Sequence, residues 1–595
     1  MAPRKRATAK GETPGKQRRQ VTDPKPAVTQ EDWEQQLQSL AAKAKEQTWS
    51  KWAAEQAHIY SKAFAFLVLA AVYSNVSQLA LSPVYGSIPS SIWHRWLVDG
   101  AYFIGWMASS FLELNLPFKT ELLLPVMAFY IPVIRFCLDK ASKTLTAYWG
   151  PLVTEALTLG PLMVLSAASV ATHLDRADMP SFMSSGITGV VAPSLSTLAL
   201  FKGVKAFSGR ALAPLIGKSF LLTRLGLEVV LSICYSLVAP SKLLLFALPA
   251  LLHSAFFNPH APTSIALASL NTTLGAKGWM LLDRRESVTG YVSVLESKDQ
   301  GFRVMRCDHS LLGGEWMLEQ FKHNQVAEPI YGVFAMLEAV RLVEVPKPVP
   351  DDEAKALVIG MGIGTTPAAL VAHGIDTTVV EIDPAVNEFA SKYFRLPSNY
   401  TSVIEDAVTY TERLVKERAQ RFDYIVHDVF TGGAEPIPLF TLEFLEGLAA
   451  LLKPDGVIAI NYAGDFTLPP PRVVVQTIRR AFLSCRIFRE HAPGGTHTEK
   501  QPEHDFDNMV IFCTKRNDGI NFRQPTVRDL LNSPTREQFL YPRFEVKDAD
   551  FRARGNDGIL TKDDTQKLVK WHEKSALGHW AIMRDIIPSF VWINW

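Results

Sequence analysis

The sequence has little net charge and few cysteines, and both shortages exclude classes of protein. Its 595 residues carry a formal net charge of +2, so charge alone predicts neither a nucleic acid nor another polyanion as a partner. The five cysteines, Cys137, Cys234, Cys307, Cys485 and Cys513, contain no CxxC pair and no even framework. A disulfide scaffold and a zinc ribbon are therefore not expected, and the soluble part fits a reducing compartment.

A cleavable signal peptide is also not expected. Residues 1–30, MAPRKRATAKGETPGKQRRQVTDPKPAVTQ, are basic and contain proline but have no apolar core. Residues 1–58 are therefore predicted to form a disordered arm in the cytosol. A nuclear-localisation or lipid-headgroup patch is the alternative.

Long apolar runs, in contrast, are abundant between residues 59 and 262. Six windows could each cross the roughly 30 Å hydrocarbon layer of a lipid bilayer as a helix of about 20 residues. Basic loops after the second and fourth windows then lie on the same side as the arm. This predicts a multi-span α-helical membrane domain, an interfacial or re-entrant segment at 99–117, and a cytosolic position for both the N-terminus and the domain that follows. The six windows are 61–82, 121–138, 149–170, 181–202, 219–239 and 241–259.

Two ionisable residues, Arg224 and Glu228, lie inside the fifth window. Because they are four positions apart, they share one helix face and can pair. The spacing predicts an intramembrane ion pair, with a substrate pathway as the alternative.

The pattern changes after residue 280. Residues 280–345 predict short strands of a small antiparallel sheet, followed by an amphipathic helix. From 346 to 515, strands and helices alternate, and the last two strands, 484–489 and 508–514, are joined by a loop. Repeated βα units of this kind predict an α/β fold, a doubly wound Rossmann-like sheet of the methyltransferase type with an antiparallel edge.

The turn after the first strand of this sheet lacks the third glycine of a dinucleotide fingerprint. A G-x-G-x-x-G pattern that begins at Gly360 needs glycine at position 365, and one that begins at Gly362 needs it at 367. The sequence has Thr365 and Pro367 there. The glycines present, Gly360, Gly362 and Gly364, let the backbone pass close to a nucleoside that carries no pyrophosphate.

Acidic residues at strand ends complete the predicted donor site. Glu381 stands 21 residues after Gly360, at the end of the second strand, where it can accept hydrogen bonds from both ribose hydroxyls. Asp383 follows in the same turn. Glu405 and Asp406 end the third strand, where Asp406 can reach the exocyclic amine of an adenine. Together with the glycines, these acids predict binding of an adenosine with a sulfonium rather than NAD.

These motifs resemble the spermidine synthase family of aminopropyltransferases, and the multi-span half resembles its membrane-fused members. The likeness covers residues 283–515 and rests on the small sheet, on Tyr331, and on GMGIGTTP, VEIDPAV, IEDA and FDYIVHDVFTGGAEPIPLF. It implies transfer of an aminopropyl group from decarboxylated S-adenosylmethionine to a small-molecule amine acceptor. Asp428 would be the general base and Tyr331 an acceptor-binding residue, in a chain compatible with a homodimer.

The sequence departs from this family at two carboxylates. Ile363 replaces one in the glycine turn and Thr431 replaces one in the catalytic loop. Loss of the acid that holds the donor's amine removes selection for the decarboxylated donor. An S-adenosylmethionine-dependent methyltransferase on the same fold is therefore an alternative, and a non-catalytic membrane protein with a nucleoside-binding regulatory domain is another. Retention of Asp428 favours the two enzymes.

The C-terminal part carries weaker signals. Residues 516–595 predict a polar linker and an amphipathic helix, which either packs on the domain or lies at a bilayer interface. His491, His497 and His504 precede the last strand, but their spacing matches no common zinc pattern. No metal is expected.

Overall fold

The computed structural model describes residues 49–178, 186–418, 421–429, 433–492, 505–551 and 558–595, with five positions between 33 and 39. The chain divides into two compact units, Met1–Tyr60 and Ser61–Trp595. In the first unit the rings of Trp49 and Trp52 meet edge to face, with centroids 5.1 Å apart. The sheets and the candidate site belong to the second unit.

The N-terminal half of the described chain is helical. Its runs of leucine and alanine are strong helix formers. Prolines inside or next to the helices divide the runs because proline lacks the N–H that an interior helical position donates. The helices are α1 (Trp49–Tyr85), α2 (Ser87–Ile92), α3 (His94–Met107), α4 (Ser109–Asn115), α5 (Leu124–Asp139), α6 (Ser142–Leu157), α7 (Leu159–Asp175), α8 (Gly186–Leu212), α9 (Arg224–Val238), α10 (Leu248–Leu252) and α11 (Ser264–Gly275).

Fewer of these helices than predicted are long and apolar enough to cross a membrane. Among the described residues two qualify, Trp49–Tyr85 and Thr120–Asp139. A third span results if the pair α6 and α7, which is bent by 41°, is counted as one. The prediction of six such helices is therefore not matched.

The predicted windows near residue 240 are shortened by local breaks. Window 219–239 becomes α9, which begins only at Arg224 because the Thr223 side chain caps it by accepting from Gly226 N–H. Window 241–259 becomes a shorter apolar helical segment, Lys242–Phe257. Window 181–202 lies partly outside the described residues.

Arg224 and Glu228 do not pair with each other, so that prediction is wrong. Arg224 instead bonds Glu286 at 3.2 Å and Asp308 at 3.4 Å, on the small sheet. Glu228, one helical turn later, accepts from the guanidinium of Arg135 on α5. The two residues diverge because α9 contacts the strand domain at its first turn and another helix at its second.

A five-stranded antiparallel sheet follows the helices and confirms the predicted small sheet. Its strands pair in sequence order, as expected for strands joined by short turns. They are β1 (Trp279–Glu286), β2 (Tyr291–Ser297), β3 (Phe302–Cys307), β4 (Ser310–Trp316) and β5 (Glu328–Pro329).

The second sheet has eight strands and confirms the predicted α/β methyltransferase-like fold. Five strands are parallel at its centre and one side, and the last three add an antiparallel edge. The order is β13-β11-β12-β10-β9-β6-β7-β8. The elements are α12 (Gly332–Leu337), β6 (Lys355–Ile359), α13 (Thr365–Ala372), β7 (Asp376–Glu381), α14 (Pro384–Tyr393), β8 (Thr401–Ile404), α15 (Ala407–Lys416), β9 (Phe422–His427), α16 (Leu442–Leu451), β10 (Leu452–Asp465), α17 (Pro470–Ala481), β11 (Ser484–Arg489), β12 (Phe506–Thr514), α18 (Val527–Leu530), α19 (Pro534–Phe539), β13 (Phe544–Glu545), α20 (Gln566–Ile586) and α21 (Ser589–Ile593).

Both faces of the eight-stranded sheet are buried. Alternate residues of β6 enter different cores, with Val358 in one and Leu357 and Ile359 in the other. A strand that is covered on both faces needs a continuous apolar run, which explains the sequence ALVI at this position. The arrangement fixes the end of β6, and hence the glycine turn after it.

A disulfide joins two strands of the antiparallel edge. Cys485 of β11 lies opposite Cys513 of β12 in the ladder, with their Cα atoms 4.2 Å apart. That separation is close enough for a disulfide to form without backbone movement. The sequence alone does not predict this pair, because the two cysteines are 28 residues apart and meet only through strand register.

The C-terminal helix packs on the protein, which is the first of its two predicted positions; the other was a bilayer interface. Trp580 and Trp592 flank His309, with ring centroids 5.3 Å and 4.2 Å from the imidazole. Trp580 also donates to the carbonyl of Val84 at the end of α1, at 3.1 Å. Helix α20 thereby covers one side of the cavity that holds the candidate site.

Candidate functional site

A cavity of about 480 Å³ lies at the carboxyl ends of the central parallel strands. Open α/β sheets bind ligands at this edge, where the loops after adjacent strands diverge. The glycine turn, the end of β7, the residue after β9 and strand β10 form one side of the cavity. Helix α20 contributes the side chains on its other side, which are His579, Ile582, Met583 and Ile586.

The glycine turn requires glycine at each of its three predicted positions. Gly360, Gly362 and Gly364 have φ values of +85°, +53° and +86°, which side-chain-bearing residues rarely adopt. A Cβ at Gly360 would lie 2.1 Å from the Asp428 carbonyl oxygen, and one at Gly362 would lie 2.6 Å from that of Leu312. Gly360 and Gly362 line the cavity, whereas Gly364 caps α13 outside its lining.

Glu381 ends β7 and faces the cavity. Its two carboxylate oxygens accept from the backbone N–H groups of Met361 and Asp383, each at 2.9 Å. Burial raises the pKa of Glu381 to about 7, although these bonds oppose the shift. A carboxylate has about four acceptor positions, so Glu381 retains capacity for the two hydroxyls of a ribose.

The other predicted donor-site acids do not line the cavity in the described structure. Asp383 is buried and accepts from Ser287, at 2.5 Å, and from Ala385 N–H, at 2.8 Å, so it ties the small sheet to α14. Glu405 pairs with Arg413, and the exposed Asp406 caps α15. Their assignment to the donor, like that of Gly364, stays a prediction.

Asp428 follows β9 and lies beside the glycine turn. Its backbone N–H donates to Ile359 at 2.8 Å, which fixes it against β6. The Asn461 amide donates to the Asp428 carboxylate at 2.8 Å. Burial raises the pKa of Asp428 to about 6, and the bond from Asn461 opposes that shift. A carboxylate with this pKa is mostly ionised at neutral pH. Because its pKa lies close to neutral pH, it can also accept a proton during the reaction.

Asn461 is a site residue that sequence analysis missed. It is 6% exposed, lies on β10 and lines the cavity. Its Oδ1 atom has no hydrogen-bond partner among the described residues. One polar residue inside the apolar run VIAINYA could have identified it, because such a strand position normally carries a hydrophobic side chain.

Tyr331 reaches the cavity from the residue before α12. Its hydroxyl is buried without a partner in the described part of the chain. Burial, and then the negative charge of Glu490, raise the pKa of Tyr331. Thr431, the predicted substitution in the catalytic loop, lies outside the described residues.

Several known proteins of different activities are similar to one part of the chain, whereas another protein is similar to most of its length. The family model described as spermine/spermidine synthase domain matches residues 336–477. A polyamine aminopropyltransferase of Vibrio vulnificus is 35% identical over 136 residues, or 22% of this chain and 44% of that protein. The eEF1A lysine and N-terminal methyltransferase of Bos taurus is 30% identical over 138 residues, or 21% of this chain and 20% of that protein.

A longer match extends over both halves of the chain. The N-terminal histidine N-methyltransferase of Emericella nidulans is 45% identical over 549 residues, which cover 89% of this chain and 96% of that protein. The assignment of the chain to the spermidine synthase family is therefore wrong, because that likeness is confined to the donor-binding part. The prediction of a transferase that uses S-adenosylmethionine or its decarboxylated form is confirmed.

Proposed function

The chain belongs to the family of the N-terminal histidine N-methyltransferase of Emericella nidulans, and we propose that it transfers a methyl group from S-adenosylmethionine to an N-terminal histidine. The observation that carries this proposal is the 45% identity over 89% of the chain, a share too large to be confined to residues 336–477. It replaces aminopropyl transfer, the reaction implied by the likeness at residues 336–477.

The residues of the cavity have separate parts in this reaction. The donor supplies a methyl group on a sulfonium; its S–C bond breaks as a bond from carbon to nitrogen forms. Gly360 and Gly362 admit the nucleoside, and Glu381 accepts from its ribose. A nitrogen attacks only through a free lone pair, so Asp428 accepts the proton that the acceptor nitrogen loses. The experiment that tests the proposal is methyl transfer to a synthetic peptide that begins with histidine.

We also propose that the helical half lies in a lipid bilayer. Besides the long apolar helices, α3 and α4 expose large apolar side chains on adjacent turns. Contiguous apolar surface of this kind is rare on soluble monomers and is typical of membrane contact. These side chains include Phe103, Met107, Phe111 and Leu114, each at least 66% exposed.

The side of the membrane that holds the transferase domain is a separate proposal. The basic arm predicts a cytosolic N-terminus, and an even number of crossings returns the domain to the cytosol. The disulfide between Cys485 and Cys513 favours the opposite side, because disulfides persist in oxidising compartments. Three crossings, with α6 and α7 as one bent span, would place the domain there. We therefore propose the oxidising side.

Protease treatment of sealed vesicles separates the two orientations. We expect the transferase domain to resist added protease until detergent opens the vesicles, since the membrane would shield it. Cys485 and Cys513 should react with a maleimide only after reduction. Digestion of the domain in intact vesicles would support the cytosolic position and rule out the oxidising one.

A further inference from the structure

We infer that one end of the cavity is an ammonium pocket, formed by Tyr331, Glu490 and Asn508, which binds the free α-ammonium of the acceptor's first residue. The inference rests on the proposed function, since only an N-terminal acceptor brings that group into the cavity. It assigns a recognition role to residues beyond the donor site and Asp428.

Strand register places this pocket next to the transfer site. Ala463 of β10 pairs with Asn508 of β12, and Glu490 N–H donates to the Asn508 carbonyl at 2.9 Å. Neighbouring strands present paired residues on the same face, and every second residue of a strand shares that face. Asn461, two positions before Ala463, therefore lies in the same row as Asn508 and Glu490. All four line the cavity.

Glu490 is held in a fixed position and forms no direct ion pair with a described residue. Burial raises the pKa of Glu490; the nearby His491 opposes that rise, but its own ion pair is with Asp507. The Glu490 side chain accepts from Val333 N–H at 3.0 Å and from the Asn508 amide at 2.6 Å. It is 4% exposed, yet none of the ion pairs among the described residues includes it. Burial of a carboxylate without a direct ion pair is costly, and a cationic ligand bound to Glu490 would reduce that cost. Neighbouring Asp507, by contrast, is paired with Arg489 at 3.0 Å.

Unpaired acceptors in the same cavity point independently to a ligand that donates hydrogen bonds. The Tyr331 hydroxyl and the Asn461 Oδ1 atom are both buried without partners in the described structure. Besides burial, the negative charge of Glu490 contributes to the raised pKa of Tyr331, so the Tyr331 hydroxyl lies near the Glu490 carboxylate. An ammonium group offers three N–H donors and no acceptor, which matches a pocket rich in oxygen atoms.

A metal ion is the competing occupant. Ligand atoms of Glu490, His491 and Asp507 lie within 4.8 Å of one another. However, Asp507 already bonds Arg489 and accepts from His491 Nδ1 at 3.2 Å. Both Asp507 oxygens therefore already have partners, and an ammonium at Glu490 leaves these contacts intact.

The pocket is tested by peptide binding to the full-length protein loaded with S-adenosylhomocysteine. Two peptides that begin with histidine are compared by calorimetry, one with a free and one with an acetylated N-terminus. We expect the wild type to bind the free peptide about 100-fold more tightly, as for a buried charge pair. Glu490→Gln should reduce this ratio to about threefold or less. Glu388→Gln, at an exposed carboxylate paired with Arg285, should leave it unchanged.

Each outcome decides one claim. Three results would each overturn the ammonium pocket and leave the proposed function standing. The wild type could bind both peptides equally, the Glu490→Gln variant could keep the wild-type affinity ratio, or a metal chelator could abolish that ratio. A wild type that binds the nucleoside but neither peptide would overturn both. If Glu490→Gln loses nucleoside binding, the Tyr331→Phe variant is used instead, because it removes only an unpaired hydroxyl. It should lower the ratio of free-peptide to acetylated-peptide affinity by roughly fivefold. An unchanged ratio would refute the pocket.

Discussion

Replacement of Glu381 by alanine should abolish measurable binding of S-adenosylmethionine or weaken it by about 1–3 kcal/mol or more, because buried ribose hydroxyls lose their acceptor. Isothermal calorimetry measures this directly. Glu381→Gln keeps the shape and one acceptor oxygen, so it should retain part of the affinity. The pKa of about 7 at Glu381 adds a pH signature, since only the ionised carboxylate can accept from both hydroxyls. Donor affinity should therefore rise as the pH increases through 7, and Glu381→Gln should flatten that rise.

The matched control for this experiment is Glu388→Gln. Glu388 is exposed and bonds Arg285 on the small sheet, away from the cavity lining. Its replacement removes one carboxylate without touching the donor site, so affinity and its pH dependence should stay as in the wild type. Unchanged donor affinity in both Glu381 variants would remove Glu381 from the ribose site.

Asp428→Asn should lower turnover by roughly 10²–10⁴-fold while donor affinity persists, because asparagine keeps the size of the side chain but cannot accept the proton. Initial rates and calorimetry on one preparation measure both quantities. The wild-type rate should also fall as the pH drops through about 6, where Asp428 becomes protonated. Near-normal turnover in the variant would show that Asp428 only orders the loop after β9.

Asp376→Asn provides the control for Asp428. Asp376 begins β7, at the amino end of the strand whose carboxyl end carries Glu381. It is exposed and pairs with Lys355 at 3.1 Å, so its loss should change neither turnover nor donor affinity. A similar loss of turnover in this variant would trace the effect to general damage rather than to proton transfer.

The site residues that could be predicted lie at the ends of strands, because a short run of neighbouring apolar residues shows where a strand ends. The apolar run ALVI before Gly360 and the run TTVVE that ends at Glu381 are continuous enough to place both residues at the same sheet edge. Asn461 and Glu490 could not be found in this way. The position of Asn461 beside Asp428 depends on the pairing of β10 with β9, and that of Glu490 depends on the order β11-β12-β10, which pairs segments distant in sequence.

The errors have related physical causes. The i,i+4 spacing of Arg224 and Glu228 is local, but their partners, Glu286 and Arg135, are set by which elements surround α9. The comparisons favour the methyltransferase alternative over aminopropyl transfer, and the sequence motifs could not separate the two for a similar reason. Residues that bind an adenosyl donor are shared by aminopropyltransferases and methyltransferases, whereas the residues that we propose for the acceptor, on and next to β11 and β12, carry no common motif.

The most direct measurement is methyl transfer to peptides that differ only in the position of histidine. The full-length protein in detergent is given S-adenosylmethionine and two peptides of equal composition, with histidine first in one and second in the other. Fragmentation mass spectrometry then locates any added methyl group. The expected result is one methyl group on the first residue of the histidine-first peptide and none on the other. Equal methylation of both peptides, or none on the first while the protein binds its donor, would contradict N-terminal histidine methylation.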